Sequence, residues 1–330
     1  MNMRDQPDPE LGADEALIKV AFAGICGSEL SGYLGHNALR VPPLIMGHEF
    51  SGEIVALGPA SAEREPHLTS GQWVTVNPML ACGSCSFCQS GREHLCSTRQ
   101  LVGAARPGAF AEYVCVPLQA ITPLPTDFPL RSGALVEPVA VGVRIGEVAG
   151  PLGGEDTLVI GAGPIGLLAL QAFNLQGAER VFITDRDPAR LEMGRALGGT
   201  VLDARSQDVV EEIRTATGRR GVAVAVDAVG LAQTRAQAVA TTRSAGTVIL
   251  SGLHEESSTM PAADIIRREL VVRGCFCYSH ANFAEALDRL SRGAVRLDPW
   301  IVEAPLADGG MWFERLIDAP GNVAKVLLIP

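Results

Sequence analysis

Residues 157–166 read Thr-Leu-Val-Ile-Gly-Ala-Gly-Pro-Ile-Gly, and the chain runs on through Leu167 to Leu175 and then to Val181-Phe-Ile-Thr-Asp185. The first four residues are a short β-branched and apolar run, which favours a strand. The run breaks at Gly161, Gly163 and Gly166, and a helix-like stretch follows. A second apolar run then ends in Asp185, 19 residues after the last glycine. Strand, glycine turn, helix, strand and terminal acid is the layout that a dinucleotide site demands. Gly161 permits the tight turn, Gly163 lets backbone approach a pyrophosphate, and Gly166 lets the helix pack on the strand. Pro164 and Ile165 open the helix, whose N-terminus faces the phosphates. A glycine cluster that is no more than a turn is the competing reading, and the flanking elements weigh against it.

The same texture extends outward. After Glu137-Pro138, βα units recur at 157–175, 181–197, 222–227 with 232–242, and 247–250, and this alternation predicts a parallel, doubly wound sheet over residues 139–275. Upstream the chain is β-rich, with strands expected at Leu17–Phe22, Glu53–Leu57, Gly71–Pro78 and Phe110–Pro117. Downstream, residues 276–330 offer a helix at 282–291 and a last strand at 324–329. The fold class is α/β.

Two groups of residues suggest metal. Cys82, Cys85, Cys88 and Cys96 stand in one short loop, about residues 80–98, with two residues between successive members of the first three and seven before the fourth. That spacing folds four sulfurs around a tetrahedral zinc with no position left for substrate. A disulfide knot is the alternative, but nothing at the N-terminus resembles a secretory signal. Cys26, His48, Glu49 and Glu137 form the second group. Thiolate, imidazole and carboxylate together suit a catalytic zinc, which needs about three protein ligands and an open position. Taken singly, each is as readily a core or capping residue.

These motifs, in this order over nearly the whole chain, resemble the zinc-containing medium-chain alcohol and polyol dehydrogenases. The resemblance implies a GroES-like catalytic domain (1–138) carrying both zincs, a Rossmann domain (139–275), a return segment (276–330) completing the first domain, and hydride transfer from a secondary alcohol to NAD. Glu137, where classical alcohol dehydrogenases have cysteine, points to the sorbitol, butanediol, threonine and galactitol-phosphate branch. By resemblance, Ser28 hydrogen-bonds the reacting oxygen and Arg190 packs near the adenosine, while Asp185 holds the ribose and selects NAD over NADP. Glu29 stands where the family usually has Asp, whose role is to hold the ligand histidine. Ser31 replaces a relay histidine, so the proton is expected to leave through Ser31, ribose and water. Tyr33, Phe110 and the loop 35–43 are expected to border the substrate. Family members usually open with a longer hairpin, whereas here Met1 lies six residues before Pro7, which is expected to leave an edge less covered.

A polyol, cyclitol or sugar alcohol, phosphorylated or not, is the expected substrate; L-threonine or a vicinal diol is the alternative. A silent NAD-binding relic or sensor is the reading of another class, and the intact ligand set argues against it. The net charge of −10 argues against nucleic acid. Apolar runs break well before the ~18 residues of a membrane span. A cytoplasmic homodimer or homotetramer is expected, with 247–250 and 270–275 as the contact between copies.

Overall fold

The computed structural model describes residues 3–330, and the chain forms two compact units. One is built from the chain up to Glu137 together with Tyr278–Pro330, the other from Pro138–Cys277. The expectation about the chain's opening turns on Met1, which lies outside the described residues.

The first unit contributes β1 (Glu15–Gly24), β2 (Glu49–Leu57), β3 (Trp73–Val76), β4 (Met79–Leu80), β5 (Gln100–Leu101), β6 (Tyr113–Pro117) and β7 (Ile121–Pro123). The second unit carries β8 (Asp156–Ile160), β9 (Arg180–Asp185), β10 (Thr200–Asp203), β11 (Val222–Asp227), β12 (Thr242–Leu250) and β13 (Val271–Gly274). The chain then returns to the first unit with β14 (Ile301–Pro305) and β15 (Lys325–Ile329).

In the first unit one sheet runs β14-β15-β1-β2-β3-β7, with β6 also pairing β1. Along β1, residues Ala16, Ile18 and Val20 are buried and alternate with less buried neighbours, the period-two pattern of a strand with one face inward. Their core partners include Phe50, Ile54, Val74, Val116, Phe313 and Val326. Antiparallel pairing of β1 with β2 runs from Ala16 opposite Leu57 to Gly24 opposite Glu49. The end of one strand therefore lies against the start of the next. β15 pairs the same end of β1, with Gly24 opposite Leu327.

In the second unit the sheet is parallel throughout, in the order β10-β9-β8-β11-β12-β13. The chain builds outward from β8 to β10, then crosses back to β11 and builds the other way, so the order reverses between β8 and β11. All six residues of β11 are buried, as a strand covered on both faces requires. The stretch 247–250, expected at a contact between copies, lies inside β12 and has β11 on one side and β13 on the other. Its backbone is already paired, whereas β13, which lies within the other expected stretch, 270–275, is one of the two edge strands, β10 being the other.

Candidate functional site

The crossing of β1, β2 and β15 assembles one group. β1 ends at Gly24, and Cys26 caps the helix Gly27–Tyr33. His48 precedes β2 and Glu49 begins it. One donor atom from each of Cys26, His48 and Glu49 lies within 4.8 Å of the others. Gly47 sits at φ +101°, where a Cβ would run into the backbone nitrogen of Phe110, so a glycine is what turns His48 inward.

Glu29 organises this corner. Its Oε2 accepts the Cys26 N–H at 3.0 Å, and its Oε1 accepts the Gly47 N–H and the His48 Nδ1–H, each at 2.8 Å. The methylene that separates it from the family's usual Asp does not prevent the contact. Burial alone would raise its pKa, but His48 beside it brings the carboxyl below its ordinary value. With Nδ1 donating to Glu29, Nε2 is the histidine nitrogen left for a metal.

Glu137 is not among the three convergent donors. Its Oε1 accepts the hydroxyl of buried Tyr278 at 2.9 Å, and burial pushes its pKa up to about 7, with Glu49 adding to the rise. Both oxygens of Glu49 accept from Lys325 Nζ, at 2.8 and 2.6 Å, and the third ammonium proton goes to the Ile25 carbonyl at 3.1 Å. Burial works against the charge on Lys325, but Glu49 holds the ammonium above its usual pKa. The mixed donor set of thiol, imidazole and carboxylate suits zinc.

The cysteine loop is geometrically simpler. The Sγ atoms of Cys82, Cys85, Cys88 and Cys96 all lie within 4.8 Å of one another, with Cys82–Cys88 at 3.9 Å and Cys85–Cys88 at 3.5 Å, and every cysteine is free. Zn–S bonds of about 2.3 Å in a tetrahedron put sulfurs about 3.8 Å apart. Backbone N–H groups of Ser84 and Cys85 hold the Cys82 thiol down to about 5, toward the thiolate that zinc takes.

In the second unit Gly161 has φ +97°, and a Cβ on Gly166 would run into the Gly161 carbonyl. Pro164 occupies the first turn of the helix Pro164–Leu175, with Ile165 following it and Gly163 as its cap. Asp185 closes β9; its Oδ2 accepts the Ala162 N–H at 2.7 Å, and its Oδ1 accepts those of Arg186 and Asp187 at 2.7 and 2.9 Å. The carboxylate is thereby pinned to the glycine turn. Arg190 Nη1 comes within 4.0 Å of where a Gly163 Cβ would stand, which places the guanidinium beside the same turn.

Ser28 is half-buried, and its Oγ accepts from Arg40 Nη2 at 3.0 Å. The rings of Tyr33 and Phe110 both meet Phe313 edge-on, at 5.6 and 6.1 Å. Three residues at this site have no functional assignment in the sequence reading: Arg40, Tyr278 and Lys325. Lys325 is one of only two lysines in the chain, a scarcity that by itself assigns it no role.

Comparison with known proteins places the chain in a family. The profile of the alcohol dehydrogenase GroES-like domain matches residues 12–126, and that of the zinc-binding dehydrogenases matches 164–292. Sorbitol dehydrogenase of Bacillus subtilis (strain 168) is 33% identical over 98% of this chain and 92% of its own. L-threonine 3-dehydrogenase of Idiomarina loihiensis is 30% identical over 99% and 95%. A zinc-binding dehydrogenase of Sinorhizobium meliloti 1021, solved bound to NADP, superposes with a TM-score of 0.90 at 32% identity, covering 99% of this chain and 95% of that one. The chain belongs to the zinc-containing medium-chain alcohol and polyol dehydrogenases.

Proposed function

We propose that this protein oxidises a secondary alcohol of a polyol, cyclitol or sugar alcohol with NAD, using a zinc at Cys26, His48 and a carboxylate from Glu49 or Glu137, and a second, structural zinc at Cys82, Cys85, Cys88 and Cys96. The observation that carries the reading is the convergence of donor atoms of Cys26, His48 and Glu49 within 4.8 Å, with His48 and Glu49 buried. A bound zinc supplies Lewis acidity that lowers the pKa of an alcohol hydroxyl, so that hydride can leave its carbon for the nicotinamide. Ser28 stands next to Cys26 and the helix start, where its hydroxyl can take up the departing proton. Arg40 already donates to one Ser28 lone pair, which leaves the other for the substrate hydroxyl and the serine's own proton for onward transfer.

A polyol is supported by the relatives, among them the sorbitol dehydrogenase of Bacillus subtilis. L-threonine is the second reading, supported by the relative from Idiomarina loihiensis. Eight free cysteines suit the reducing cytoplasm that we assign to the protein. Among the described residues no helix is long and apolar enough to cross a membrane.

The test is metal analysis together with a panel of polyols, cyclitols and amino alcohols, read as the absorbance of reduced nicotinamide. Two zincs per chain and NAD-dependent turnover of at least one polyol are expected. Two zincs and bound cofactor with no turnover of any member would overturn the reading in favour of a silent sensor.

A further inference from the structure

Arg235 lies on the helix Ala232–Thr241, which follows β11, and is only 8% exposed. Its guanidinium is not an anion site, because buried Asp227, with Oδ2 4.0 Å from Arg235 Nε, is its counter-charge. The two terminal nitrogens reach instead into the loop 251–261, which joins β12 to the helix Ala262–Arg267. Nη1 donates to Ser258 Oγ and Nη2 to the Glu255 carbonyl, each at 2.7 Å. Glu255 ties the same loop to the same helix a second time, its Oε2 accepting the Ala232 N–H at 2.7 Å. At its start the loop is held to the end of β11, where the Asp227 carbonyl accepts the N–H groups of Ser251 and Gly252 at 3.0 and 2.9 Å. Gly252 packs on Gly230 so closely that a Cβ on either would run into the other's backbone.

The place of this loop gives these ties a purpose. A dinucleotide lies across the strand ends of a doubly wound sheet at the point where the strand order reverses, here between β8 and β11. The adenosine ribose belongs at Asp185 on β9 and the pyrophosphate at the glycine turn after β8, so the nicotinamide half extends the other way, over the ends of β11 and β12. Val229 joins the two places, since a Cβ on Gly161 of the turn would come within 2.6 Å of it. A surface loop left to itself samples many conformations, and a ligand that needs one of them binds more weakly in proportion to how seldom that one is populated. We propose that Arg235 is a positioning residue for the cofactor: through Glu255 and Ser258 it fixes the loop 251–261 in advance as the wall against which the nicotinamide half is seated. This rests on the NAD reading and adds to it a residue that acts on the cofactor only through the loop.

The experiment titrates NADH and ADP-ribose, which lacks the nicotinamide, into the zinc-loaded wild type, Arg235→Met, Arg235→Lys and Glu255→Ala, and reads the dissociation constants by calorimetry. Loss of hydrogen bonds from a charged group should weaken NADH by about 10- to 100-fold in Arg235→Met, with ADP-ribose unchanged. Arg235→Lys keeps the charge and can reach one of the two acceptors, so it should recover part of the loss. Glu255→Ala leaves Arg235 in place and cuts the second tie, and it should weaken NADH in the same selective way by a smaller factor. A fold loosened by mutation would weaken the two ligands alike, and that result would make Arg235 a structural residue only. NADH binding that is unaffected in both Arg235→Met and Glu255→Ala, or a wild type that holds NADH no tighter than ADP-ribose, would overturn the inference and leave the NAD reading in place. A wild type that binds neither ligand would remove the NAD reading, and the inference with it. If Arg235→Met does not fold, Ser258→Ala, which cuts one of the two loop contacts, takes its place in the comparison.

Discussion

At the scale of single residues, we expect Asp185 to set the cofactor preference. Three backbone N–H groups fix its carboxylate at the end of β9, so it cannot swing away from a ribose seated at the glycine turn. One lone pair of Oδ2 remains to accept from a ribose hydroxyl, whereas a 2′-phosphate at the same place meets a fixed negative charge. Arg186 follows it directly and Arg190 lies beside Gly163, and either could offset that repulsion. The Sinorhizobium meliloti structure bound to NADP shows that the family accommodates the phosphate. We expect kcat/KM to favour NAD in the wild type, and Asp185→Ser to reduce the NAD-to-NADP ratio by about 10- to 100-fold, the worth of a charged hydrogen bond. A wild-type preference for NADP would mean that the two arginines outweigh the acid.

At the scale of elements, the two metal groups differ in what their loops must do, and mutation should separate them. The four-cysteine loop hangs from the two-stranded sheet β4–β5 and is otherwise one short helix, Ser86–Gln89, and one 3-10 turn, Glu93–Leu95. Little but metal can hold it, so the binding energy of that zinc is folding energy. Cys85→Ser should therefore lower Tm, and since about 1 kcal/mol corresponds to roughly 2–4 °C for chains of 150–250 residues, a loss of a few kcal/mol is easily seen. Cys26 instead sits between β1 and a helix that are already anchored by the seven-stranded sheet. Cys26→Ala and Glu137→Ala should reduce the zinc content toward one per chain and remove most turnover, with Tm changed far less than in Cys85→Ser. Glu137→Ala is the sharper of the two, because a carboxylate that only accepts from Tyr278 would leave zinc and rate unaltered. A Cys26→Ala enzyme with two zincs and full rate would dismiss the catalytic assignment.

At the scale of the whole molecule, what the sequence made legible was what is local in it. The glycine turn and its terminal acid fall within 25 residues and the cysteine loop within 15, so spacing alone exposes them. Arg40, Tyr278 and Lys325 follow no such rule: Lys325 reaches Glu49 across 276 residues and Tyr278 reaches Glu137 across 141, through strand pairings that no local pattern announces. The helices Gly309–Asp318 and Gly27–Tyr33 lie in segments whose local pattern suggests strand or tail. The same distinction governs assembly. Of the two stretches expected at a contact between copies, 247–250 has its backbone paired on both sides within the sheet, and 270–275 contains the edge strand β13. The edge strand β13 has all four residues exposed, including Val271 and Val272 at 43% and 37%, and its outer N–H and C=O groups have no strand beside them. An exposed apolar edge is a template for another strand, and a second copy presenting the same edge across a two-fold axis pairs it in a closed manner. We expect a homodimer, or a dimer of dimers, and light scattering at micromolar concentration should give at least twice the 34.7 kDa of the single chain. Val272→Pro removes one donor from the edge and should shift the mass toward the monomer if β13 is the contact. A mass near 34.7 kDa for the wild type would leave the edge unpaired in solution and refute the assembly, with the site chemistry untouched.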